Sequence, residues 1–428
     1  MHLSKTMAQQ DWRSWLLPFY LCGAMFLAYM ARQSLFSIFP ILRKQLFFSE
    51  VQLGLTGTVF LWTYALANPI TGYLGDRFSK KNLIVAGIIL WSGCTFMIGT
   101  TQSASGLLVW RGALALTQAL YLPAAVALIV QVHSENSRSK ALSVHGAGQF
   151  IGIIVGGWYG GFAAEWLGWR SMLWILALVT AMYGVALAFI VNEKGDTASP
   201  RLDRSQSASK PAAQLPNTLL TPTYMSYCFS FFSICAILWV IYTWLPDIVK
   251  TKFNLSLADA GLVATLYVQV PMIVAIFGGA FLGDRLMKRD KRSRLFIMIS
   301  GLTLSCPFIY FIARAETLEQ LKLAALGYGF FKGVFSSNFL ASLSDILPVD
   351  RRGFGIGFCN SIGALAAGLS AYLFGLLKTQ FSIETLFGFA GVLGLVATSL
   401  LMITLWLFFL RDYEQVHPKL NQALPSPG

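Results

Sequence analysis

Twelve apolar stretches, each about as long as a membrane is thick, follow one another along the 428 residues of the chain. A helix that crosses the hydrocarbon core needs about 20 mostly apolar residues and satisfies its backbone hydrogen bonds internally. Only 12% of the residues are charged, against about 25% in a soluble domain. The predicted helices lie at 15–40, 53–75, 82–102, 106–132, 140–164, 169–191, 222–249, 257–283, 295–313, 321–345, 354–377 and 385–410. We therefore predict an all-α membrane protein with twelve transmembrane helices.

The residues between the sixth and seventh apolar stretches differ from their surroundings in composition. From Asn192 the chain reads NEKGDTASPRLDRSQSASKPAAQLPN, which is polar, rich in Ser, Pro and Ala, and without apolar periodicity. Such a composition is typical of a flexible linker. The predicted segments are a cytoplasmic N-terminus at 1–14, a six-helix bundle at 15–191, a cytoplasmic linker at 192–220, a second six-helix bundle at 221–410 and a cytoplasmic tail at 411–428.

The two predicted bundles repeat one another in sequence. SEVQLGLTGTVFLWTYALANPITGYLGDR from Ser49 aligns with SLADAGLVATLYVQVPMIVAIFGGAFLGDR from Ser256, and Pro40 aligns with Pro246 at nearly the same offset. Two repeats of like topology are typical of secondary transporters, whose substrate site lies where the repeats meet. The repeat therefore predicts two pseudo-symmetric bundles and a transport function.

The distribution of basic residues predicts the orientation in the membrane. Of the 32 Lys and Arg residues, seventeen fall in predicted cytoplasmic loops and eight in predicted external loops. Because basic loops stay in the cytoplasm, both termini are predicted to be cytoplasmic, in a multi-pass protein of the cell (inner) membrane. The net charge of +13 thus reflects loop topology and not nucleic-acid binding, since no soluble domain is predicted to carry such a surface. We expect a monomer in the lipid bilayer.

Three basic residues remain inside the predicted helices: Arg32, Arg111 and Lys332. Every Asp and Glu of the chain falls in a predicted loop, a terminus or a helix end, so no carboxylate is predicted deep in the membrane. A cation at the centre of a bilayer costs at least ~2.5 kcal/mol on insertion scales and normally faces a cavity with a partner. A small anionic substrate is the expected partner. The alternative is that an arginine extends its side chain to the membrane surface and binds no substrate. This alternative is strongest for Arg111, which lies about one turn inside its helix.

Two charged loops carry the same pattern, GYLGDRFSKK from Gly72 and GAFLGDRLMKR from Gly279. Each places an aspartate and an arginine at the end of a helix, Asp76 with Arg77 and Asp284 with Arg285. An aspartate at such a place can hold an arginine and neighbouring helix N-termini. We predict that these four residues form a conformational latch at the cytoplasmic side; the alternative is a purely topological signal.

These loops resemble the loop between the second and third helices of the major facilitator superfamily, and the resemblance extends over about residues 15–410. The first helix, with Tyr29, Arg32 and Pro40, resembles both the anion:cation symporters of the sialin and sugar-acid carrier type and the organophosphate:phosphate antiporters. In both families an arginine at this place binds the substrate. The resemblance implies alternating access in a twelve-helix fold.

The fourth helix, RGALALTQALYLPAA, resembles the anion:cation symporters more closely. Gln118 stands there, seven residues after Arg111, where that family usually has a glutamate. Tyr64, Gln149 and Asn360 match polar substrate-facing positions of the same family. The resemblance therefore implies substrate contacts at all four of these polar residues, in addition to the three cations.

The chain departs from these families at the residues that carry coupling. Ala31 and Gln118 replace two acids of the anion:cation symporters, and Leu238 replaces the second arginine of the antiporters. Proton symport usually requires a titratable carboxylate in the membrane. His145 is the remaining candidate for proton coupling, with a packed histidine as the alternative. Exchange against a counter-anion, uniport or weak coupling to protons is therefore expected in place of strong symport.

Three classes of function were weighed. A secondary transporter of a small organic anion, such as a sugar acid, a carboxylate or a phosphate ester, fits the buried cations. A spinster-type lysolipid or lipid transporter is the alternative, because that family shares much of this pattern, including the arginines. An enzyme is not expected, since no GxSxG, HExxH or phosphate-binding loop occurs. The six cysteines show no metal-like spacing, so neither a metal nor another cofactor is predicted.

Overall fold

The computed structural model describes residues 2–191, 221–348 and 351–417, and all regular structure in these ranges is helical. The all-α class predicted from the sequence is confirmed. The predicted linker at 192–220 and most of the predicted tail lie outside the described residues. The helices are α1 (His2–Ser37), α2 (Phe39–Gln45), α3 (Glu50–Arg77), α4 (Lys80–Thr100), α5 (Ala104–Ala119), α6 (Tyr121–Val132), α7 (Glu135–Leu167), α8 (Trp169–Ile190), α9 (Pro222–Phe253), α10 (Leu257–Leu286), α11 (Ser293–Arg314), α12 (Leu318–Asp345), α13 (Arg352–Leu377), α14 (Ile383–Leu407) and α15 (Phe409–Val416).

Each of the twelve predicted apolar segments coincides with one of these helices or with two consecutive ones. Within the described ranges, ten helical spans are long and apolar enough to cross a membrane. The two long helices outside this set are α3 and α12, each of 28 residues. Tyr64 on α3 and Lys332 on α12 are among the polar residues of these two helices. We therefore describe the chain as a multi-pass integral membrane protein.

Side-chain caps fix where several helices begin. Ser49 accepts a hydrogen bond from the backbone of Gln52, whose side chain in turn accepts from the backbone of Ser49. The same reciprocal cap, formed by Thr317 and Gln320, starts α12 in the second half of the chain. A cap of this kind contributes about 0.5–2 kcal/mol, and here it sets the start of the two helices that carry Tyr64 and Lys332.

The segment predicted as one helix at 106–132 is interrupted. It consists of α5 and α6, with Leu120 between them. The physical reason lies three residues later, because Pro123 has no backbone N–H to donate to the carbonyl of Ala119. The break follows Gln118 by two residues and so lies beside a candidate site residue.

The chain divides into two compact units. The first takes its described residues from Met1–Ser209 and Tyr242–Thr265, and the second from Lys210–Ile241 and Leu266–Gly428. The first unit thus includes the end of α9 and the start of α10. The predicted six-helix bundles at 15–191 and 221–410 stay a prediction.

Glycines set the packing of α1 against α7 in the first unit. A stripe of four glycines spaced by four residues runs along α7, and a Cβ atom at any of them would overlap the backbone of α1. Small residues at this spacing let two membrane helices approach until their backbones touch. The stripe consists of Gly148, Gly152, Gly156 and Gly160. The position of Arg32 on α1 is therefore fixed by close contact with α7.

Polar contacts hold the end of α9 and the start of α10 within the same unit. The side chain of Gln33 donates to the carbonyl of Tyr242 at 3.0 Å. The carboxylate of Glu165 accepts from the backbone N–H of Leu257 at 2.6 Å, which caps the N-terminus of α10. Gly261 on α10 lies against the backbone of α7, where a side chain would not fit.

An ion-pair cluster of Arg43, Glu50 and Asp247 joins α2, α3 and α9 in the first unit. Arg43 Nε lies 2.6 Å from Glu50 Oε1, and its two terminal nitrogens lie 3.2 and 2.9 Å from the oxygens of Asp247. Asp247 is 2% exposed. Burial alone would lower the pKa of Arg43, but the two carboxylates outweigh burial and raise that pKa above its usual value. The guanidinium therefore stays charged at any physiological pH.

We expect Arg43→Gln to destabilise the protein by about 3–5 kcal/mol, because it leaves the buried Asp247 carboxylate without its guanidinium. The unfolding midpoint measured by thermal denaturation in detergent reports the loss. Arg43→Gln/Asp247→Asn should recover most of the stability, since it removes the buried charge as well. Lys44→Gln is the matched control, as Lys44 is exposed and forms no ion pair among the described residues. Equal midpoints for Arg43→Gln and the control would contradict a structural role for the cluster.

Candidate functional site

Arg32 lies inside a cage of aromatic rings contributed by α1 and α3. Its guanidinium carbon is 4.4 Å from the ring centroid of Tyr29, 4.6 Å from Phe60 and 5.0 Å from Tyr64. Tyr29 precedes Arg32 by three residues, and Phe60 precedes Tyr64 by four, so each pair shares one helix face. Each ring attracts the cation through its negative π face, an effect worth about 0.5–2 kcal/mol per contact. Arg32 itself is 8% exposed.

Gln118 on α5 orients the guanidinium from the other side. Arg32 Nε donates to Gln118 Oε1 at 2.8 Å, and the Tyr64 hydroxyl is a second side-chain hydrogen-bond partner of the guanidinium. Gln118 is 2% exposed, and its Nε2 has no acceptor in the described part of the chain. A planar guanidinium edge and a neighbouring amide N–H₂ together form a donor set that matches a carboxylate or a phosphate.

Arg111 is enclosed by α1, α3 and α5. It is 1% exposed, and its Nε donates to the carbonyl of Thr56 at 3.2 Å. A terminal nitrogen donates to the carbonyl of Arg32 at 3.4 Å. These contacts hold the guanidinium between helices, in contrast to the side chain extended towards a membrane surface that was the alternative for this residue.

A single ring, that of Phe60, faces both guanidiniums. Its centroid lies 4.6 Å from the guanidinium carbon of Arg32 and 4.7 Å from that of Arg111. Neither arginine pairs with a carboxylate among the described residues. Backbone carbonyls and aromatic faces carry partial charges only, so the two positive charges are stabilised but not neutralised. Phe60 was not among the residues predicted from the sequence. Its position one helical turn before Tyr64 could have indicated that the two rings share one helix face.

The helix break beside Gln118 belongs to this site. Residues of α5 up to Gln118 contribute to the arginine cluster, and the helix ends at Ala119. Leu120 itself keeps right-handed helical dihedral angles, with φ −63° and ψ −29°. The interruption is therefore a local loss of helix hydrogen bonding before Pro123, and the chain continues in nearly the same direction.

Lys332 is the buried cation of the second unit. It is 9% exposed, and its Nζ lies 3.0 Å from the thioether sulfur of Met272, its one hydrogen-bond partner among the described residues. Gly329 lies about one turn before Lys332 and Gly333 directly follows it, and the two glycines lie against the carbonyls of Val268 and Met272. Their lack of side chains lets α12 approach α10 closely. A thioether is only a weak acceptor, so the ammonium has no counter-charge here.

The other predicted substrate contacts are less enclosed. Tyr64 belongs to the aromatic cage, whereas Gln149 on α7 is half-buried and Asn360 on α13 is exposed. Neither Gln149 nor Asn360 hydrogen-bonds to another described residue. Their role as substrate contacts stays a prediction.

His145, the candidate for proton coupling, is packed against Tyr121. The Tyr121 hydroxyl donates to the carbonyl of Leu21 at 2.6 Å and lies 3.0 Å from His145 Nε2. Because the single hydroxyl proton is committed to Leu21, Nε2 must carry a proton and donate to the tyrosine oxygen. This arrangement suits a histidine that holds helices together. Its role in coupling stays a prediction.

The predicted latch residues have unequal surroundings. Asp284 pairs with Arg294 at 2.8 Å, and Arg294 also pairs with Asp345 at 2.6 Å, which ties α10, α11 and α12 together. Arg285, the predicted partner, is exposed and forms no ion pair among the described residues. Arg294 and Asp345 were not among the residues predicted for the latch.

In the first half of the chain, the guanidinium of Arg77 lies over the ring of Tyr73 at 4.4 Å. The side chain of Asp76 lies outside the described part of the structure. The latch therefore stays a prediction.

Comparison with known proteins gives a family match over nearly the whole chain. The family model of the Major Facilitator Superfamily matches residues 21–318 and 227–427, which confirms the resemblance inferred from the sequence. The chain is 27% identical to the voltage-gated purine nucleotide uniporter SLC17A9 of Mus musculus, over 82% of this chain and 78% of that protein. It is 23% identical to the probable galactarate/D-glucarate transporter GudP of Bacillus subtilis, over 82% and 83%.

A solved structure shows the same fold. The chain resembles a bacterial homolog of the human lysosomal transporter Spinster, in an inward-facing and unoccupied conformation, with a TM-score of 0.73 and 16% identity. The similarity covers 98% of this chain and 99% of that one. The fold class predicted from the sequence is thereby confirmed.

We expect Phe60→Leu to destabilise the protein by about 1–3 kcal/mol more than Phe335→Leu, because only Phe60 faces two cations. Both rings are 1% exposed, so the packing lost is similar in the two variants. The free energy of unfolding, measured in detergent, reports the difference. In a protein that also carries Arg111→Met, the loss of unfolding free energy by Phe60→Leu should exceed that by Phe335→Leu by a smaller amount. Equal costs at the two phenylalanines would show that the ring serves packing alone.

Proposed function

Because the chain belongs to the major facilitator superfamily, we propose that it is a secondary active transporter that moves a small organic anion across a membrane by alternating access. One observation carries the proposal. Two buried guanidiniums face the same phenylalanine ring and have no carboxylate partner among the described residues. A bound anion would supply the missing negative charge.

The substrate is proposed to be a sugar acid, a carboxylate or a phosphate ester. The guanidinium of Arg32, whose fork has five N–H donors, can bind two oxygens of such a group side by side. Gln118 Nε2 would donate to a third oxygen, and the faces of Tyr29 and Tyr64 would contact the carbon skeleton. Among the relatives are proteins named for the transport of a purine nucleotide, of sulfoacetate and of galactarate and glucarate, all of which are organic anions.

The finer assignments belong to the same proposal. Lys332 gives the second unit a buried cation without a counter-charge, and we assign it a substrate contact. Gln149 and Asn360 are assigned polar contacts, and Asp76, Arg77, Asp284 and Arg285 the role of a latch. The proposed setting is the cell (inner) membrane, with both termini cytoplasmic and the protein acting as a monomer.

A spinster-type lysolipid or lipid transporter is the second candidate. The structural similarity to the bacterial Spinster homolog and a 24% identical relative, spinster homolog 1 of Xenopus laevis, support it. The aromatic cage could face an acyl chain near the headgroup while Arg32 binds a phosphate. Counterflow of a lysophospholipid, with no counterflow of any water-soluble anion, would favour this candidate.

Anion binding should depend on Arg32 and on Lys332. We expect Arg32→Gln and Lys332→Gln each to weaken binding at least about tenfold, since a buried charge-assisted contact contributes about 2–5 kcal/mol. Arg32→Lys should recover only part of the loss, because an ammonium cannot reproduce the planar fork. The measurement is counterflow of radiolabelled anions in proteoliposomes. Arg170→Gln, at a half-buried arginine that bonds the Thr101 carbonyl, is the control. Unchanged binding in both glutamine variants would reject the anion site.

Exchange should run faster than net uptake, because an empty site that retains two unneutralised guanidiniums resists reorientation across the low-dielectric membrane. An imposed proton gradient should therefore drive little accumulation in the wild type. Gln118→Glu places a carboxylate beside Arg32 and should introduce or strengthen proton dependence. Uptake with and without an inward proton gradient, for wild type, Gln118→Glu and His145→Gln, tests this. Strong accumulation by the wild type that disappears in His145→Gln would assign coupling to His145.

A further inference from the structure

An apolar groove runs between α11 and α14 in the second unit, away from Lys332. It has a volume of about 660 Å³, and its walls include Pro307 on α11 and Gly388, Phe389 and Leu395 on α14. The groove is open beside Gly388, where a Cβ atom would meet no atom within 4 Å. Phe389 and Leu395 are exposed, so the groove opens towards the surroundings of the helices.

A cation and an acid lie at one end of this groove. Arg314 is the last residue of α11, and Glu384 is the second residue of α14; both line the groove. The guanidinium of Arg314 lies 5.1 Å from the ring centroid of Tyr310, and it forms no ion pair with any described residue. The groove is therefore lined by a basic and an acidic side chain at one end and is mostly apolar along the rest of its length.

The length of the groove matches one leaflet of a bilayer. Glu384 and Leu395 are separated by eleven residues, which at a rise of about 1.5 Å per residue is about 16 Å along the helix axis. The hydrocarbon core of a bilayer is about 30 Å thick, so half of it is close to this length. An acyl chain whose headgroup lay at the charged end would occupy the groove over the depth of one leaflet.

Arg314 also lines a second apolar cavity on its other side. This cavity has a volume of about 360 Å³, and Phe311 on α11 and Leu323 on α12 are among its walls. Both of these side chains are exposed. The side chain of Arg314 thus lines two apolar cavities. In a phospholipid, one phosphate group is likewise joined to two acyl chains.

We propose that Arg314, Glu384 and the two cavities form a binding site for a phospholipid with an ethanolamine headgroup. Arg314 binds the phosphate, Glu384 accepts hydrogen bonds from the primary ammonium, and the two acyl chains occupy the two cavities. A choline headgroup carries no N–H to donate, and a glycerol headgroup has no positive charge for Glu384. The lipid at this site is a bound component of the membrane and not the transported substrate.

Competitive retention of lipids by the full-length chain tests the site. The purified protein is mixed with equal amounts of phosphatidylethanolamine, phosphatidylcholine and phosphatidylglycerol that share the same acyl chains, and the bound lipid is measured by native mass spectrometry. We expect phosphatidylethanolamine to be retained at least about fivefold over each of the others, a preference of about 1 kcal/mol.

Two single variants should separate the two charges. Arg314→Gln should lower retention of all three lipids, whereas Glu384→Gln should abolish the preference for ethanolamine over choline and leave lipid bound. Gly388→Leu should displace an acyl chain without a clash, since the space beside Gly388 is empty. Lys44→Gln and Glu316→Gln are the controls, because both residues are exposed and line neither cavity.

The proposal is overturned by equal retention of the three lipids or by a preference for phosphatidylglycerol. It is equally overturned if the preference for phosphatidylethanolamine survives in Arg314→Gln, Glu384→Gln and Gly388→Leu, since the lipid would then bind elsewhere. The outcome does not depend on anion transport: Arg32→Gln should retain phosphatidylethanolamine as the wild type does.

Discussion

The first unit depends on one constraint: it buries two positively charged guanidiniums that have no carboxylate partner among the described residues. Two guanidiniums would repel each other in a medium of low dielectric, so the fold has to hold them by other means. It does so with the ring of Phe60 and with carbonyl oxygens from α1, α3 and α5. Each of these contacts is weaker than an ion pair, and none contributes a full negative charge. These contacts hold the arginine cluster in shape without a ligand, and in the proposed function an anion would bring the missing negative charge.

Backbone approach through glycine is the second requirement, because it decides where those cations lie. On α7 four glycines bring α1 into contact, and on α12 Gly329 and Gly333 bring in α10. A long basic side chain next to such a contact has little room to turn away. The glycines of α12 lie on the same helix as Lys332, whereas those of α7 contact the turns of α1 on either side of Arg32, so close glycine contacts position both cations in their separate units.

Hydropathy predicted the helices and the buried cations, since a charged residue within an apolar run can be recognised from the sequence alone. Hydropathy did not predict the interruption at Leu120. Pro123 alone does not indicate it, because prolines are also tolerated inside long membrane helices such as α9. Phe60 was missed because one aromatic residue among many apolar ones carries no signal of its own. Arg43 and Arg294 were counted only as loop charges. Each has one acid close by in the sequence, Glu50 or Asp284. The second acids, Asp247 and Asp345, lie 204 and 51 residues away, and no local pattern indicates a pairing over such separations.

The glycine stripe of α7 also limits how the molecule can deform. Two helices whose backbones touch at four successive turns cannot rotate about their own axes or slide past each other without a collision at every turn. They must therefore translate and tilt together, as one stiff element with twice the cross-section of a single helix. Any rearrangement around Arg32 then has to occur on the faces of α1 that do not touch α7, and at Arg32 these include the faces against α3 and α5. Local change at the site is in this way confined by exclusion to the side of α1 that faces Arg111.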